Sequence, residues 1–168
     1  MRISIIGHAG SGKSTLASNI SKKLAIPYLQ IDTLWFEVRG HRLKKDDISG
    51  KEIVRSYIRK EVEKFVIQDS WVSDGWYSRV QPLIAERADE IVFLNIPLFR
   101  RLINHLQRMF FSKRRKDLTL YDDLIFIYQI FRRTFKFGPA MRKFIEKNIN
   151  KVKVLHNYRE VKIYLDSL

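Results

Sequence analysis

Cysteine is absent from this chain of 168 residues. Its absence excludes disulfide bonds, catalysis by a thiolate and zinc sites that use cysteine ligands. A chain without disulfides is typical of an intracellular compartment, where thiols remain reduced. Because 45% of its residues are hydrophobic, a chain of this length can build a substantial core from apolar packing alone.

Long apolar runs are also absent. No stretch approaches the ~18 consecutive apolar residues that a helix needs to cross a bilayer, and the run near the N-terminus is too short for a signal peptide. We therefore expect a cytoplasmic protein without a membrane partner. Internal repeats and low-complexity tracts are missing as well, so we expect a single domain that spans residues 1–168.

Acidic residues are few relative to basic ones. Asp and Glu number 18, whereas Lys and Arg number 32, and the formal net charge is +14. Such a charge favours anionic partners, either nucleotides or nucleic acids, and does not choose between them. A generally basic surface is a third explanation, because the basic residues are spread along most of the chain.

One glycine-rich stretch carries the strongest functional signal. Residues 7–14 read Gly-His-Ala-Gly-Ser-Gly-Lys-Ser, which matches the spacing Gly-x-x-x-x-Gly-Lys-Ser of a phosphate-binding loop. The short β-branched segment 2–6 before it predicts a buried central strand, and apolar residues at four-residue steps after it predict a helix. The predicted cofactor-binding residues are Gly7, His8, Ala9, Gly10, Ser11, Gly12, Lys13, Ser14 and Thr15.

The chemistry of this motif follows from its geometry. Glycines let the backbone turn with its N–H groups facing inward, and the dipole of the following helix adds partial positive charge, so a polyphosphate fits there. Lys13 then reaches the β- and γ-phosphates, and the Ser14 hydroxyl is a ligand for Mg²⁺. The alternative is a Gly/Ser-rich turn that only connects the strand to the helix.

Two carboxylates follow predicted strands. Residues 28–31 read as a strand that ends at Asp32, and residues 71–75 as a strand that closes with Asp74. In open α/β sheets the carboxyl ends of the strands form the ligand-binding edge, where the phosphate loop also lies. Asp32 is a candidate for binding and deprotonating an acceptor hydroxyl, or for holding a water on Mg²⁺, and Asp74 for organising Mg²⁺. Alternatively, both are ordinary turn residues.

The segment between these acids predicts a flap on the acceptor side, at about residues 33–66. Residues 33–47 read as irregular. A Ser-x-x-Glu capping box at residues 49–52 then predicts the start of an amphipathic helix. The aromatic residues of this segment suit a pocket wall and an ordinary core equally well.

The second half of the chain predicts a basic lid. Residues 90–96 read as a fourth strand, and Pro97 suits the first turn of a helix that carries Arg108 toward the run Lys-Arg-Arg-Lys at 113–116. In a phosphoryl transferase such a run folds over the nucleotide and places guanidinium groups on the transferred phosphate. A solvated loop and a nucleic-acid contact are the alternatives.

The remaining elements complete an α/β pattern. A capping-box pattern at residues 119–122 predicts a helix that ends at Gly138-Pro139, and a further helix follows. Residues 151–155 read as a fifth strand before a last helix, and the turn at 156–159 is placed to border an adenine ring. Five strands that alternate with helices predict a mostly parallel sheet covered on both faces.

Taken together, these residues resemble the nucleoside-monophosphate-kinase-like branch of P-loop enzymes. More closely, they are similar to the adenylate-kinase-related topology modulation proteins of the FlaR group. The motifs that carry the resemblance are the loop through Thr15, Ile31-Asp32 with Trp35, residues 71–78, residues 88–94, and Pro97 with the arginine-rich segment after it.

The resemblance implies a three-layer P-loop NTPase fold with a five-stranded parallel sheet in the order 2-3-1-4-5. It also implies ATP and Mg²⁺ as cofactors, transfer of the γ-phosphoryl group to a small acceptor such as a nucleotide or nucleoside, and a small arginine-rich lid at about 108–120. Within that lid the resemblance assigns Arg108, Arg114 and Arg115 to charge stabilisation.

The acceptor itself stays open. Adenylate kinases carry Asp-Gly-Phe-Pro-Arg where this chain reads Asp-Gly-Trp-Tyr-Ser-Arg at 74–79, and shikimate-type kinases carry Asp-x-Asp where Gln30 replaces the first acid. The leading hypothesis is a small-molecule kinase with Lys13 and Asp32 as catalytic residues and with Ser14 and Asp74 at the metal. The alternative is a nucleotide-regulated DNA-binding protein without robust turnover, which the +14 charge and the FlaR resemblance motivate.

Overall fold

The computed structural model describes residues 1–38, 47–111 and 120–168. Within these ranges, the side chains at 105, 108–111, 120–127, 129, 130 and 133 are outside the description. None of the helices in the described ranges is both long enough and apolar enough to cross a membrane.

A five-stranded parallel sheet forms the centre of the fold. Its order is β2-β3-β1-β4-β5, which confirms the predicted fold class. The strands are β1 (Arg2–Gly7), β2 (Tyr28–Gln30), β3 (Trp71–Asp74), β4 (Glu90–Leu94) and β5 (Val152–Leu155). The first strand lies in the middle and pairs with β3 on one side and β4 on the other.

Helices cover both faces of this sheet. They are α1 (Lys13–Leu24), α2 (Ile31–Glu37), α3 (Ile48–Val66), α4 (Gln81–Arg87), α5 (Leu98–Phe111), α6 (Leu120–Lys147) and α7 (Tyr158–Ser167), with a short 3₁₀ helix at Ile149–Lys151 before β5. Successive side chains of β1 point to opposite faces. Ile3 and Ile5 accordingly pack with α1 and α7, while Ile6 packs with α2, α3, α4 and α6.

The chain after β2 is helical where the sequence predicted an irregular segment, so that prediction was wrong for residues 33–37. Ile31 and Leu34 are both buried and lie three residues apart, which places them on the same face of α2. The predicted second strand is also one residue shorter, since α2 starts at Ile31.

The start of α3 differs from the predicted capping box. Asp47, not Ser49, is the N-cap residue, and its Oδ1 accepts a hydrogen bond from the Gly50 N–H at 2.7 Å. In a capping box the Glu52 carboxylate would accept a hydrogen bond from the backbone N–H of Ser49. In the structure it pairs with Arg55 at 3.0 Å. The capping pattern predicted at residues 119–122 lies outside the described side chains.

The helix α6 continues through Gly138 and Pro139, where the sequence predicted an end. A proline inside a helix removes one hydrogen bond and crowds the preceding turn. Beyond it, however, Met141 is 2% exposed in the core, and Phe144 and Ile145 pack against the same cluster. Tertiary burial of this face therefore outweighs the local preference of the Gly-Pro pair.

Candidate active site

The glycine-rich loop occupies the connection from β1 to α1. Gly10 and Gly12 adopt φ angles of +80° and +89°, in the left-handed region that favours glycine. A β-carbon at Gly10 would lie 3.0 Å from the backbone oxygen of Arg101, so α5 packs directly against the loop. Left-handed residues alternating with ordinary ones are typical of the concave arrays of backbone amides that bind anions.

Lys13 is the first residue of α1. Its ammonium donates a hydrogen bond back to the backbone oxygen of His8 at 3.1 Å. The side chain therefore reaches from the start of the helix to the opposite end of the loop. This position places a positive charge beside the loop's concave face, where a phosphate group would lie.

Two side chains, from α1 and β2, donate hydrogen bonds to Asp74, the last residue of β3. The Ser14 hydroxyl donates to Asp74 Oδ2 at 2.7 Å, and the Tyr28 hydroxyl donates to Oδ1 at 2.6 Å. Gln30 Nε2 donates in turn to the Ser14 hydroxyl at 3.4 Å. Burial, reinforced by the hydrogen bond to Asp74, raises the pKa of Tyr28 well above its usual value, so its phenol stays protonated as a donor.

The pair Ser14 and Asp74 fits a magnesium ion. Asp74 is 1% exposed, and within the described residues no lysine or arginine forms an ion pair with it. The described residues also contain no cluster of three or more His, Cys, Asp or Glu side chains suited to a metal. Magnesium commonly binds to one or two protein oxygens together with substrate phosphates, and a hydroxyl with a buried carboxylate beside a phosphate loop is such a donor set.

A buried arginine on α5 contacts the backbone of the glycine-rich loop. Arg101 on α5 is 3% exposed, and its guanidinium donates to the backbone oxygens of Ile96 at 3.1 Å and Ala9 at 3.4 Å and to the Thr134 hydroxyl at 3.0 Å. Burial lowers the pKa of Arg101 from its usual value. No carboxylate pairs with it among the described residues, so its charge adds to the positive potential at the loop.

The loop separates two cavities of very different size. The larger, about 820 Å³, lies between α1, α5 and α7 and is lined by loop residues Ser11 and Gly12, by Thr15, and by Tyr158 at the start of α7. The Tyr158 hydroxyl also meets the Asn104 side chain, which donates to the backbone oxygen of Gly10 at 2.8 Å. This cavity has room for a nucleoside next to the phosphate loop.

The smaller cavity, about 70 Å³, lies on the other side of the loop. It is lined by Gly7, His8, Ala9, Lys13, Asp32, Trp76, Phe137 and Met141. Asp32 is exposed and lies in the first turn of α2, just beyond the carboxyl end of β2. Lys13 and Asp32 thus border one cleft, although the chain separates them by a strand and most of a helix.

His8 is held in its neutral form at this cleft. Burial, together with the nearby charges of Arg101, Lys13 and Arg142, lowers the pKa of His8 to about 4. A neutral imidazole adds no further positive charge to the wall of the small cavity near neutral pH.

The predicted lid falls mostly outside the described residues. Arg108 lies in α5, but its side chain is not described, and Arg114 and Arg115 lie outside the described ranges. The predicted flap includes most of α2 and all of α3, while residues 39–46 lie outside the description.

Sequence reasoning missed two residues that build the site. Tyr28 was assigned only to a strand, and nothing local indicated that its hydroxyl reaches Asp74. Arg101 was not singled out, although a signal existed. It lies three residues after the apolar Leu98, and therefore on the same face of the helix. A basic residue on an apolar face indicates a special role.

These features define a class of protein. A parallel sheet in the order 2-3-1-4-5, with a glycine-rich loop and Lys-Ser between its central strand and first helix, is the fold of P-loop kinases. Solved structures agree. The shikimate kinase from Acinetobacter baumannii in complex with shikimate matches with a TM-score of 0.59 over 99% of this chain and 89% of that chain, at 16% sequence identity.

Sequence relatives are kinases of two kinds. The chain is 28% identical to the shikimate kinase of Bacteroides thetaiotaomicron over 137 residues, which cover 74% of this chain and 76% of that protein. It is 29% identical to adenylate kinase 2 of Nostoc sp. over 112 residues, which cover 61% of this chain and 58% of that protein. No protein-family model matches the chain.

Proposed function

We propose that this protein is an ATP-dependent phosphotransferase that moves the γ-phosphoryl group of ATP to a small-molecule acceptor. The observation that carries the proposal is the convergence of Lys13, the pair Ser14 and Asp74, and Asp32 around one glycine-rich loop at the carboxyl edge of the sheet. Similarity to shikimate and adenylate kinases supports the same reaction class.

The nucleotide occupies the larger cavity in this proposal. Its base and ribose lie between α1 and α7, where the Tyr158 ring comes within 3.6 Å of a β-carbon built on Gly12. Its phosphates follow the loop amides from Gly10 to Ser14 toward the N-terminus of α1, where the helix dipole favours negative charge. Lys13 neutralises part of the charge on the β- and γ-phosphates.

Ser14 and Asp74 would hold Mg²⁺. When bound, the ion neutralises charge on the phosphate oxygens as the γ-phosphoryl group transfers. Tyr28 keeps the Asp74 carboxylate in place through its 2.6 Å hydrogen bond. The lid arginines Arg108, Arg114 and Arg115 are proposed to stabilise the same charge.

Asp32 acts on the acceptor. Its carboxylate accepts a hydrogen bond from the acceptor hydroxyl and takes its proton as the oxygen attacks. The oxygen forms a bond to the γ-phosphorus, the bond from the γ-phosphorus to the bridging oxygen breaks, and ADP leaves with the electron pair. The flap at residues 33–66 is proposed to close over the acceptor during this step. The reaction is proposed to take place in the cytoplasm.

The experiment that tests the proposal is a screen for ATP-dependent phosphorylation, read out as ADP release, with small alcohols, nucleosides and nucleoside monophosphates as acceptors. For the accepted compound, Asp32→Asn should lower kcat by about 10² or more, because a general base contributes that much. Its ATP affinity should stay unchanged. The matched control is Asp69→Asn, at an exposed acid that precedes β3 at the opposite edge of the sheet.

Equal losses of ATP affinity and kcat in Asp32→Asn would show that Asp32 supports the nucleotide and not the acceptor. If no compound accepts a phosphoryl group and ATP does not bind, the proposed function fails.

A second candidate function is a nucleotide-regulated DNA-binding protein of the FlaR type, which the net charge of +14 favours. Non-specific binding of this kind weakens steeply as salt rises, because phosphate contacts release counterions. Duplex DNA that binds at physiological salt and is released or tightened by ATP would support this candidate. DNA binding that disappears at physiological salt would remove it.

A further inference from the structure

The small cavity beside the loop has one wall that the proposed reaction does not use. Lys13, Asp32 and the loop form the reacting side, whereas Trp76, Phe137 and Met141 form the other. Trp76 follows Gly75 directly after β3, and the other two residues come from α6. The chain thus places an aromatic and apolar surface opposite the acid that is proposed to activate the acceptor.

Trp76, one of the residues of this wall, has a hydrogen-bond donor that is not used within the described part of the chain. Its indole nitrogen is buried, and no described residue accepts a hydrogen bond from it. The indole of Trp71, by comparison, donates to the backbone oxygen of Val66 at 3.3 Å. A buried donor without a partner is unfavourable and uncommon in native proteins, which indicates that a ligand supplies the acceptor atom.

The Trp76 ring is also fixed in place. It packs edge-on against Phe144, with ring centroids 5.4 Å apart and an interplanar angle of 79°. Such T-shaped pairs add stability beyond the area that they bury. The ring therefore has a defined orientation beside the cavity that it lines, as a group that contacts a substrate must have.

The size and charge of the cavity limit what it accepts. A volume of about 70 Å³ holds on the order of five water molecules, which suits a small alcohol and not a base with its ribose and phosphate. Of the described residues that line it, Lys13 is the one cation and already belongs to the phosphate loop. An acceptor that already carries a phosphate group would need further cations to neutralise that group.

We infer that Trp76 determines acceptor specificity by donating its indole N–H to an oxygen of a small, non-phosphorylated alcohol whose apolar side rests on Phe137 and Met141. Asp32 takes the proton of the hydroxyl that is phosphorylated, while Trp76 holds a different oxygen. This inference rests on the proposed function and narrows its acceptor to one chemical class.

The test compares two groups of acceptors in the ADP-release assay. One group contains small alcohols and polyols of about the size of glycerol, and the other contains nucleoside monophosphates. We expect transfer to a member of the first group. Trp76→Phe, which keeps a ring and removes the N–H, should raise KM for that alcohol roughly 10-fold and leave ATP affinity unchanged.

Trp71→Phe is the matched control, because it removes the indole N–H at the start of β3, the end of the strand away from the cleft. It should lower stability without changing KM. A second measurement uses only the wild-type protein labelled with ¹⁵N. With a non-hydrolysable ATP analogue present, adding the accepted alcohol should shift the Trp76 indole resonance and leave that of Trp71 in place.

Preferred transfer to a nucleoside monophosphate would overturn the inference and leave the phosphotransferase proposal intact. An unchanged KM in Trp76→Phe, or an unmoved Trp76 resonance, would overturn it as well. ATP binding without transfer to any member of the first group counts against the inference, whereas a failure to bind ATP counts against the proposed function itself.

Discussion

His8 illustrates how a single residue can be shaped by the site around it. It lies in the glycine loop, and its backbone oxygen accepts the hydrogen bond from Lys13. Arg101 on α5 and Arg142 on α6 lie near its imidazole. Burial, together with these charges, lowers the pKa of His8 to about 4. The folded protein thus disfavours the charged form of His8.

This shift predicts a dependence of stability on pH. Between pH 6.5 and about 4 the unfolded chain binds a proton at His8 and the folded chain does not, so the free energy of unfolding falls as the pH falls through this window. Above pH 6.5 the residue contributes no slope. With partial exposure taken into account, we expect a loss of about 1–2 kcal/mol.

Urea unfolding at pH 7 and pH 4.5 measures this loss. His8→Asn should lose less stability than the wild type over the same interval, and His156→Asn, at an exposed histidine, controls for the removal of an imidazole. Identical losses in the wild type and His8→Asn would contradict the assignment.

At the residue scale, the sequence predicted the parts of the site that are encoded locally. The loop residues and Lys13 follow from a motif whose spacing fixes its backbone, and Asp32 and Asp74 follow from their places after strands. Tyr28 and Arg101 contact Asp74 and the loop, respectively. Contacts between distant segments leave little local signal, and these two contacts emerged only from the structure.

At the scale of elements, the loop and α6 use glycine in different ways. Gly10 has a φ of +80°, and a β-carbon there would meet the backbone oxygen of Arg101 at 3.0 Å. Gly138 lies inside α6, and apart from its chain neighbours and the backbone of its own helix the nearest atoms to a β-carbon there are side-chain atoms at 4.0 Å. Gly10 is required by conformation and packing, whereas Gly138 precedes Pro139, whose ring disfavours a β-carbon on that residue in a helix.

We therefore predict unequal effects for the same substitution. Gly10→Ala should lower the free energy of unfolding by about 2–3 kcal/mol, because it adds backbone strain and a clash with α5. Gly138→Ala should change it by less than about 1 kcal/mol, because the usual gain of alanine over glycine in a helix is opposed by crowding against the ring of Pro139. Chemical denaturation of both variants tests the pair, and a stabilised Gly10→Ala protein would show that the loop is not held as described.

Element boundaries show where sequence reasoning fails. The helix α6 passes through Pro139 because Met141 is buried beyond it, and α2 begins at Ile31 because Ile31 and Leu34 are buried on one helical face. In both places a tertiary contact outweighs a local preference. The inner strands β1, β3 and β4 were easier to predict, since each is a short run that is buried along most of its length and needs no periodic pattern.

At the scale of the whole molecule, the sheet order brings the functional groups together. Because β1 lies between β3 and β4, the glycine loop, Asp74 and the segment after β2 emerge at the same edge. The order was predicted from a family resemblance and is confirmed, whereas periodicity alone gave only a parallel sheet. The net charge of +14 is also a property of the whole molecule. It favours any anionic ligand, so the residues of the site must select among anionic ligands.

The most direct test of ATP binding at the glycine-rich loop is a calorimetric titration of the protein with ATP and Mg²⁺. The wild type should bind, and Lys13→Ala should weaken binding at least about 10-fold, because it removes a charge-assisted contact with the phosphates. Lys22→Ala, at an exposed lysine on the same helix, should bind as the wild type does. Equal affinities for the wild type and Lys13→Ala, or no binding by the wild type, would contradict the account.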